Sequence, residues 1–594
     1  MCGINGFNFR DKALINNMAK FTFSRGPDNE DFFSSDDYTV GHNRLAILDP
    51  DKRSNQPFNY KNLILSFNGE IYNYLELKKD LISNGYKFET TSDTEVIVKL
   101  FHFKGKESFK ELSGIFSISI YDILEKKIYL IRDTVGVKPL YYYYNNLSKK
   151  FIFSSLIKGI LVTLETKRLN YKAVESYSNF NRNDYRETFY KEIFKVLPGE
   201  LIEVQNGNFK RSDFLNFNFN QNPSDIHVKR DINKYFKRQF LSDVPVALSL
   251  SGGVDSNIIL SELLSSKGTD FTNYSITFKD SQKYQSDHDI AKKISDYYGV
   301  KFNSVEVDSK DFSEHAEKIV DIVEEPVGNS NAISNYILSK TVNQKVLFSG
   351  DGGDEVFTGY DRYRSIYILS ILSKFNFFKK KRFTFKNKNF QRLFIDNSRD
   401  LFLSFSEQNL LKNQNKAYKN YQAVNSDNLL ALLNHTKKID EKPNLINVMF
   451  HDLDTWVPND ILNRNDKIYG DTGIEVRVPF LDKNIIENYL RLNNFKKFGF
   501  TFKSKNILLQ NYRKKLRFNV NKKLGFNSPF AGWLRNEIYE FAKKILSKQY
   551  YDSSEILDLD YCQKLLMKHK VEYCDPYLIW NLLSLQIFLR KNRF

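Results

Sequence analysis

Cysteine is scarce. The 594-residue chain holds three, Cys2, Cys562 and Cys574. They show neither metal-ligand pairing nor an even framework, which excludes a disulfide-stapled scaffold and suits a reducing compartment. Histidine is sparse as well: eight residues lie scattered with no HExxH-like spacing, so a zinc enzyme is not expected. No run of about 18 apolar residues is present, which removes a membrane-spanning helix from the expectations. The start lacks the basic-then-apolar pattern of a secretory leader, so the expected location is cytoplasmic.

What is present fits a soluble globular chain. Its length predicts roughly two to four domains, each burying its own core, and 41% hydrophobic with 27% charged residues is ordinary. The net charge of +17 raises the question of nucleic acid. The lysines are spread along the chain, however, and only Lys374 to Arg392 is dense, around Lys379-Lys380-Lys381-Arg382. A solvated basic loop is the favoured reading, ahead of a polyanion or membrane surface, and no nucleic-acid partner is expected.

The first ~200 residues read as short strands and turns with two helices, an α+β pattern. The clearest strands are Val40 to Leu48, Leu63 to Asn68, Ile115 to Asp122 and Lys127 to Arg132. Thr94 to Phe103, after Ser92-Asp93, reads as a capped helix. A turn at Val196-Leu197-Pro198-Gly199-Glu200 closes this unit, and the polar stretch Asn206 to Ser224 reads as an interdomain connection. From ~225 the period changes to β-loop-α: helix Asp225 to Gln239, strand Pro245 to Leu250, helix Asp255 to Ser265, strand Asn273 to Phe278, helix Ser286 to Tyr298 and a third strand at Val346 to Ser349. This alternation predicts a parallel sheet with helices on both faces. Beyond ~360 the chain reads as mainly helical. The expected domains are 1–210 and 225–594.

Two constellations carry chemistry. Removing Met1 would leave Cys2 with a thiol nucleophile and a free α-amine as its base, able to open an amide without a histidine. Such an attack needs an oxyanion hole, a cation for the substrate's α-carboxylate and acids for its α-ammonium. Asn68-Gly69-Glu70 supplies the first and last, Arg44 offers a planar fork for a carboxylate, and Asp93 is a second acid at a helix start. Singly, these read as a turn, a surface ion-pair partner and a helix cap; the set carries the weight. The second constellation is Ser251-Gly252-Gly253-Val254-Asp255-Ser256, between an apolar strand and a helix. Its glycines let the backbone approach phosphates, and the helix start attracts the anion. It lacks the Gly-Lys-Ser/Thr of a Walker P-loop. Ser349-Gly350-Asp351-Gly352-Gly353-Asp354-Glu355 ends a later strand of the same sheet. Strand ends converge on one crevice in such folds, so Asp255 and Asp354 are natural Mg²⁺ ligands beside phosphates.

In their order along the chain these stretches resemble the N-terminal-cysteine glutamine amidotransferases of the asparagine-synthetase type. The likeness runs through Met1-Cys2-Gly3-Ile4, Arg25-Gly26-Pro27-Asp28, Gly41-His42-Asn43-Arg44-Leu45, Gln56-Pro57, Asn68 to Asn73, Ser92 to Glu95, Arg132-Asp133 and Gly136 to Tyr141. It continues through Glu325-Pro326, Asp351 to Gly359, Glu475 to Asp482, Lys505 to Leu508 and Lys523 to Phe526. The resemblance implies an Ntn-type sandwich of antiparallel sheets with helices, then an α/β pyrophosphate-loop ATPase domain with a mainly helical C-terminal part. It implies Cys2 as nucleophile, Asn68 and the Gly69 N–H as oxyanion hole, and Arg44, Leu48, Asn68, Gly69, Glu70 and Asp93 as glutamine-holding groups. For ATP it implies Ser249, Leu250, Ser251, Gly252, Gly253, Asp255, Ser256, Ile276, Ser349 and Gly350, with Asp351 and Lys505 where the acyl-adenylate forms.

The chain departs from the family pattern at Leu156, where a glutamate is usual, and at Asn257 and Leu509. The usual Asp-Arg-x-Ser-Met run appears as Asp466-Lys467-Ile468-Tyr469-Gly470. The expected activity is a glutamine-dependent amide synthetase using ATP and Mg²⁺, with L-aspartate as the favoured acceptor; the resemblance leaves a homodimer open. One alternative keeps the chemistry and changes the acceptor, for example to a uronic acid of surface polysaccharide. Alternatives from other classes are an RNA-binding or RNA-modifying protein and an interaction protein with relict sites.

Overall fold

The computed structural model describes residues 1–219, 227–279, 282–372, 417–419, 445–500, 502–513, 515–516, 528–572 and 574–594. The basic segment Lys374 to Arg392 and the Lys523 to Phe526 stretch lie outside the described residues.

The N-terminal half is a sandwich of two six-stranded antiparallel sheets. In the first, Gly3–Phe7 lies between Lys150–Ser154 and Thr39–Arg44, so residue 2 begins at the centre of a sheet. In the second, Leu63–Ile71 pairs with Gly114–Asp122, which pairs with Lys127–Arg132. Period-2 alternation sorts the side chains. Ile4, Val40, Phe151 and Phe153 from one sheet meet Ile64, Leu130, Ile202 and Val204 from the other. The opposite face of the second sheet, with Leu63, Leu65, Phe67 and Ile118, packs on helices Tyr74–Ser83 and Asp93–Lys104. Ile15 and Met18 of helix Lys12–Thr22 cover the first sheet, in a core continuous with that of the C-terminal half.

The C-terminal half is built on a five-stranded parallel sheet. Its order is Lys301–Val307, Thr272–Phe278, Val246–Ser249, Val346–Phe348, Glu475–Arg477. Chain order reverses between the third and fourth of these, and their C-terminal ends carry the two glycine-rich turns. Such a switch point opens a crevice above the sheet. The described residues beyond 360 are mainly helical, ending in the long helix Pro576–Asn592.

The fold class agrees with the sequence reading, and several details correct it. The N-terminal half holds more than two helices: Lys12–Thr22, Tyr74–Ser83, Ile157–Leu161 and Tyr171–Phe180 join Asp93–Lys104. Val40 to Leu48 is strand only through Arg44, because residues 45–48 turn away to build a pocket wall. Asn206 to Ser224 is not simply a connection. Asn206-Gly207 turns the chain into a hairpin, pairing Asn208–Asp213 with Glu200–Gln205. Strands Lys301–Val307 and Glu475–Arg477 complete the parallel sheet.

Candidate active sites

The Cys2 pocket forms where the two sheets and the C-terminal half meet. The Cys2 N–H donates to Asn68 Oδ1 at 2.8 Å, and Cys2 Sγ lies 4.0 Å from the Leu45 carbonyl. The thiol is not exposed: Cys2 is 9% accessible and burial raises its pKa. Met1 is buried beside it, and burial lowers the Met1 terminal amine to about 6, so the pocket disfavours a charged amine. The uncharged amine is the state a base for the thiol requires.

Asn68 and Gly69 close the strand Leu63–Ile71 toward Cys2. Asn68 Nδ2 is buried with no hydrogen-bond partner among the described residues, a donor in need of an acceptor. Gly69 has φ +146°, and a β-carbon there would overlap the Ile115 carbonyl oxygen. Only glycine keeps that strand in register. Ser92, not Asp93, caps the following helix through Thr94 N–H at 3.1 Å. The Asp93 carboxylate instead accepts the Ile71 N–H at 2.9 Å, and burial raises it to about 6.

Arg44 is engaged by the loop that follows it. Its two terminal nitrogens donate to the carbonyls of Leu48, Asp49 and Asp51 and to Asn55 Oδ1, at 2.5–3.3 Å. The fork thus braces the 48–55 loop, and Leu48 contributes a carbonyl. Glu70 faces across the domain seam, 3.1 Å from Arg477. Burial raises its carboxyl well above the usual range despite that guanidinium.

The second site occupies the switch-point crevice, a cavity of about 310 Å³. Ser249, Ser251, Asp255 and Ser256 from the first glycine turn face Ser349, Gly350, Asp351 and Asp354 from the second. Leu250 and Ile276 are buried on neighbouring strands, Leu250 N–H donating to the Tyr274 carbonyl at 2.8 Å. Gly252 and Gly253 form the turn that opens helix Val254–Lys267. Asp351 Oδ2 accepts from Ser349 Oγ at 2.9 Å and from Asn465 Nδ2 at 3.0 Å. Lys505 comes from far along the chain, bonds Asp255 and sits 2.5 Å from Asp354. Burial opposes its charge, but the two carboxylates outweigh burial and raise its pKa. Two carboxylates converging on one cation, beside a phosphate-type turn, form a donor set that suits Mg²⁺ with phosphate oxygens. No cluster of three or more His, Cys, Asp or Glu poised for a metal occurs among the described residues. Glu355, pushed to about 8 by burial and then by Asp354, accepts from Tyr360 at 2.7 Å.

Buried ion pairs join the two sites, and sequence reasoning missed them. Arg25 bonds the Cys2 carbonyl at 3.0 Å and pairs with Asp466 at 2.8 Å. Lys138 lies 3.3 Å from Glu475, and Arg477 bonds Glu475 through Nε at 2.9 Å while its Nη2 lies 3.1 Å from Glu70. The Arg477 carbonyl accepts the Ser349 N–H at 2.9 Å, so one residue touches the glutamine-side acid and the nucleotide-side turn. Two departures gain a physical reason here. At Gly470 a β-carbon would sit 2.9 Å from Arg25 Nη1, so the missing side chain leaves room for that guanidinium. At Leu156 no carboxylate is present, but Glu324 of the other half accepts the N–H groups of Ile157 and Lys158 at 3.0 and 2.6 Å while pairing with Lys467 at 2.9 Å.

Comparison with known proteins agrees with this arrangement. Residues 1–215 match the glutamine amidotransferase domain family, and residues 227–590 match asparagine synthase. This chain belongs to the asparagine synthase family. The glutamine-hydrolyzing asparagine synthetase 1 of Bacillus subtilis is 28% identical over all of this chain and 97% of its own length. A putative asparagine synthetase 2 of Methanocaldococcus jannaschii is 32% identical, over 63% of this chain and 78% of its own. The amidase chyE of Penicillium rubens is 28% identical, over 57% of this chain and 54% of its own. As an asparagine synthase family member the chain is an ATP-dependent carbon–nitrogen ligase with glutamine as nitrogen donor. No helix among the described residues is long and apolar enough to cross a membrane.

Proposed function

We propose that this chain is an asparagine synthetase in the strict sense: it takes nitrogen from glutamine at Cys2 and places it on the β-carboxylate of L-aspartate. After loss of Met1, the Cys2 amine takes the thiol proton and the thiolate attacks the glutamine side-chain amide. Asn68 Nδ2 and the Gly69 N–H stabilise the oxyanion, and Glu70 and Asp93 hold the α-ammonium; the adduct collapses to a glutamyl thioester as the C–N bond breaks and the Cys2 ammonium returns its proton to the departing ammonia, and water then releases glutamate. In the crevice the aspartate carboxylate attacks the α-phosphate of ATP, forming acyl-AMP and pyrophosphate, and ammonia then displaces AMP. Ser251, Ser256 and the turn's N–H groups bind pyrophosphate, and Lys505 stabilises its charge. Asp255 and Asp354 would hold Mg²⁺, which neutralises phosphate charge when bound.

One observation supports this reading best: Arg477 lies 3.1 Å from Glu70 and accepts the Ser349 N–H at its carbonyl, so the two constellations meet at one residue. The test is pyrophosphate release with glutamine and ATP; stimulation by aspartate is expected, and its absence rejects aspartate as acceptor. A second reading, the same chemistry on a larger carboxylate such as a uronic acid, is favoured by an adjoining cavity of about 290 Å³. That cavity shares Asn329, Asn331, Trp456 and Asp460 with the crevice. The same assay with sugar acids separates the two.

A further inference from the structure

Arg464 is a charged group of the crevice that the proposed chemistry leaves unused. It is 7% exposed and lines the cavity opposite the nucleotide turns. Its Nε and Nη1 have no hydrogen-bond partner among the described residues. Burying guanidinium N–H groups without acceptors costs free energy, so their retention facing a cavity points to an anion that arrives with substrate. The backbone beneath Arg464 is pinned on both sides. Asn463 Oδ1 accepts from the Tyr141 hydroxyl at 2.9 Å, and Asn465 bonds Asp351 at 3.0 Å and Asn335 at 2.9 Å. Both chain neighbours of Arg464 are thus tied to other elements of the fold.

One turn earlier lies Asp460, at the end of the π-helical segment Asp452–Leu462. Its Oδ2 accepts from Trp456 Nε1 at 3.1 Å, while Oδ1 faces Arg464 Nε at 3.8 Å, beyond hydrogen-bond distance. A cation and an acid side by side, with a gap between them and both lining the cavity, match the two charges of an amino-acid head group. Asn465 ties this pair to Asp351, placed where the acyl-adenylate forms, so the acceptor's reacting end lies next to its recognised end.

We propose that Arg464 binds the α-carboxylate of the acceptor and Asp460 its α-ammonium, making this pair the determinant of acceptor specificity. The inference rests on the amide-synthetase reading with an amino-acid acceptor. It commits Arg464 to the acceptor, although an α-phosphate of ATP offers a similar anion, and the experiment separates the two sources.

Initial rates of pyrophosphate release are measured on the full-length enzyme with ammonium as nitrogen donor, which bypasses Cys2. Wild type, R464Q, R464K and D460N are assayed with aspartate, with succinate (no ammonium) and with β-alanine (no α-carboxylate). For R464Q the KM for aspartate rises by about tenfold or more, as loss of a charge-assisted pair predicts, with the KM for ATP within about twofold. R464K recovers part of the loss, since lysine restores charge without the fork. D460N narrows the preference for aspartate over succinate and leaves that over β-alanine in place. Glutamate release from glutamine, a property of the other half, reports folding of each variant; should R464Q fail it, R464K decides. An unchanged KM for aspartate overturns the proposal, and so does an equal rise in the KM for ATP, which assigns Arg464 to phosphate. A wild type that aspartate does not stimulate rejects the acceptor reading itself.

Discussion

Cys2 is buried and hydrogen-bonded through its own N–H to Asn68. If that sulfur liberates the nitrogen, Cys2→Ala abolishes glutamine-dependent synthesis and spares synthesis from ammonium; parallel assays with the two donors check this. Asp93 gives a pH prediction. Burial raises its carboxyl to about 6, so the folded state holds a proton that the unfolded chain has released. A raised acid destabilises the fold as pH climbs from about 4 through 6, because ionising it in place is costly. Asp93→Asn, which can still accept the Ile71 N–H, is therefore expected to stabilise the ligand-free protein by roughly 1–3 kcal/mol at pH 7.5 and by little at pH 4. Urea melts at the two pH values measure it. In wild type the KM for glutamine is expected to rise as pH falls below about 6, since a protonated Asp93 no longer attracts the α-ammonium.

Among the elements, the strand carrying Asn68-Gly69-Glu70 is the least tolerant of change. Gly69→Ala would press a β-carbon into the Ile115 carbonyl at a backbone angle that side chains rarely adopt. The expected cost is about 2–4 kcal/mol, with glutaminase activity lost before ammonium-dependent synthesis; thermal melts paired with the two-donor assay test this. The elements also show what a sequence discloses. Lys127–Arg132 is legible as a strand because a short apolar run, Ile128 to Ile131, lies between two basic residues. Glu475–Arg477 was recognised as a motif but not as a strand, since three residues carry no period. Asn208–Asp213 is a polar edge strand whose composition imitates a linker, and only the Asn206-Gly207 turn marks it. Arg464 and Asp460, four apart, look like any exposed helix pair until burial is known.

At the scale of the molecule, motif likeness points to two constellations but not to the contacts between them across the seam. Glu70 and Arg477 are some 400 positions apart, and no local pattern joins them. Their pairing predicts that Arg477→Met weakens both halves. Removing one member of a buried pair typically costs about 3–5 kcal/mol, and Glu70, raised still further, holds glutamine less well. A higher KM for glutamine together with a lower melting temperature is expected; a change in only one of them argues against a shared role. Double mutation with Glu70→Gln is expected to recover much of the stability and none of the glutamine affinity.

Arg477 also bears on how such a chain could be re-engineered. The guanidinium beside Glu70 is supplied by the synthetase half, so a foreign amidotransferase module grafted onto this scaffold must offer Arg477 a carboxylate, while residues 1–215 alone would leave Glu70 open to water without its counter-charge. The seam, more than either pocket, therefore sets the boundary of what can be transplanted as one piece.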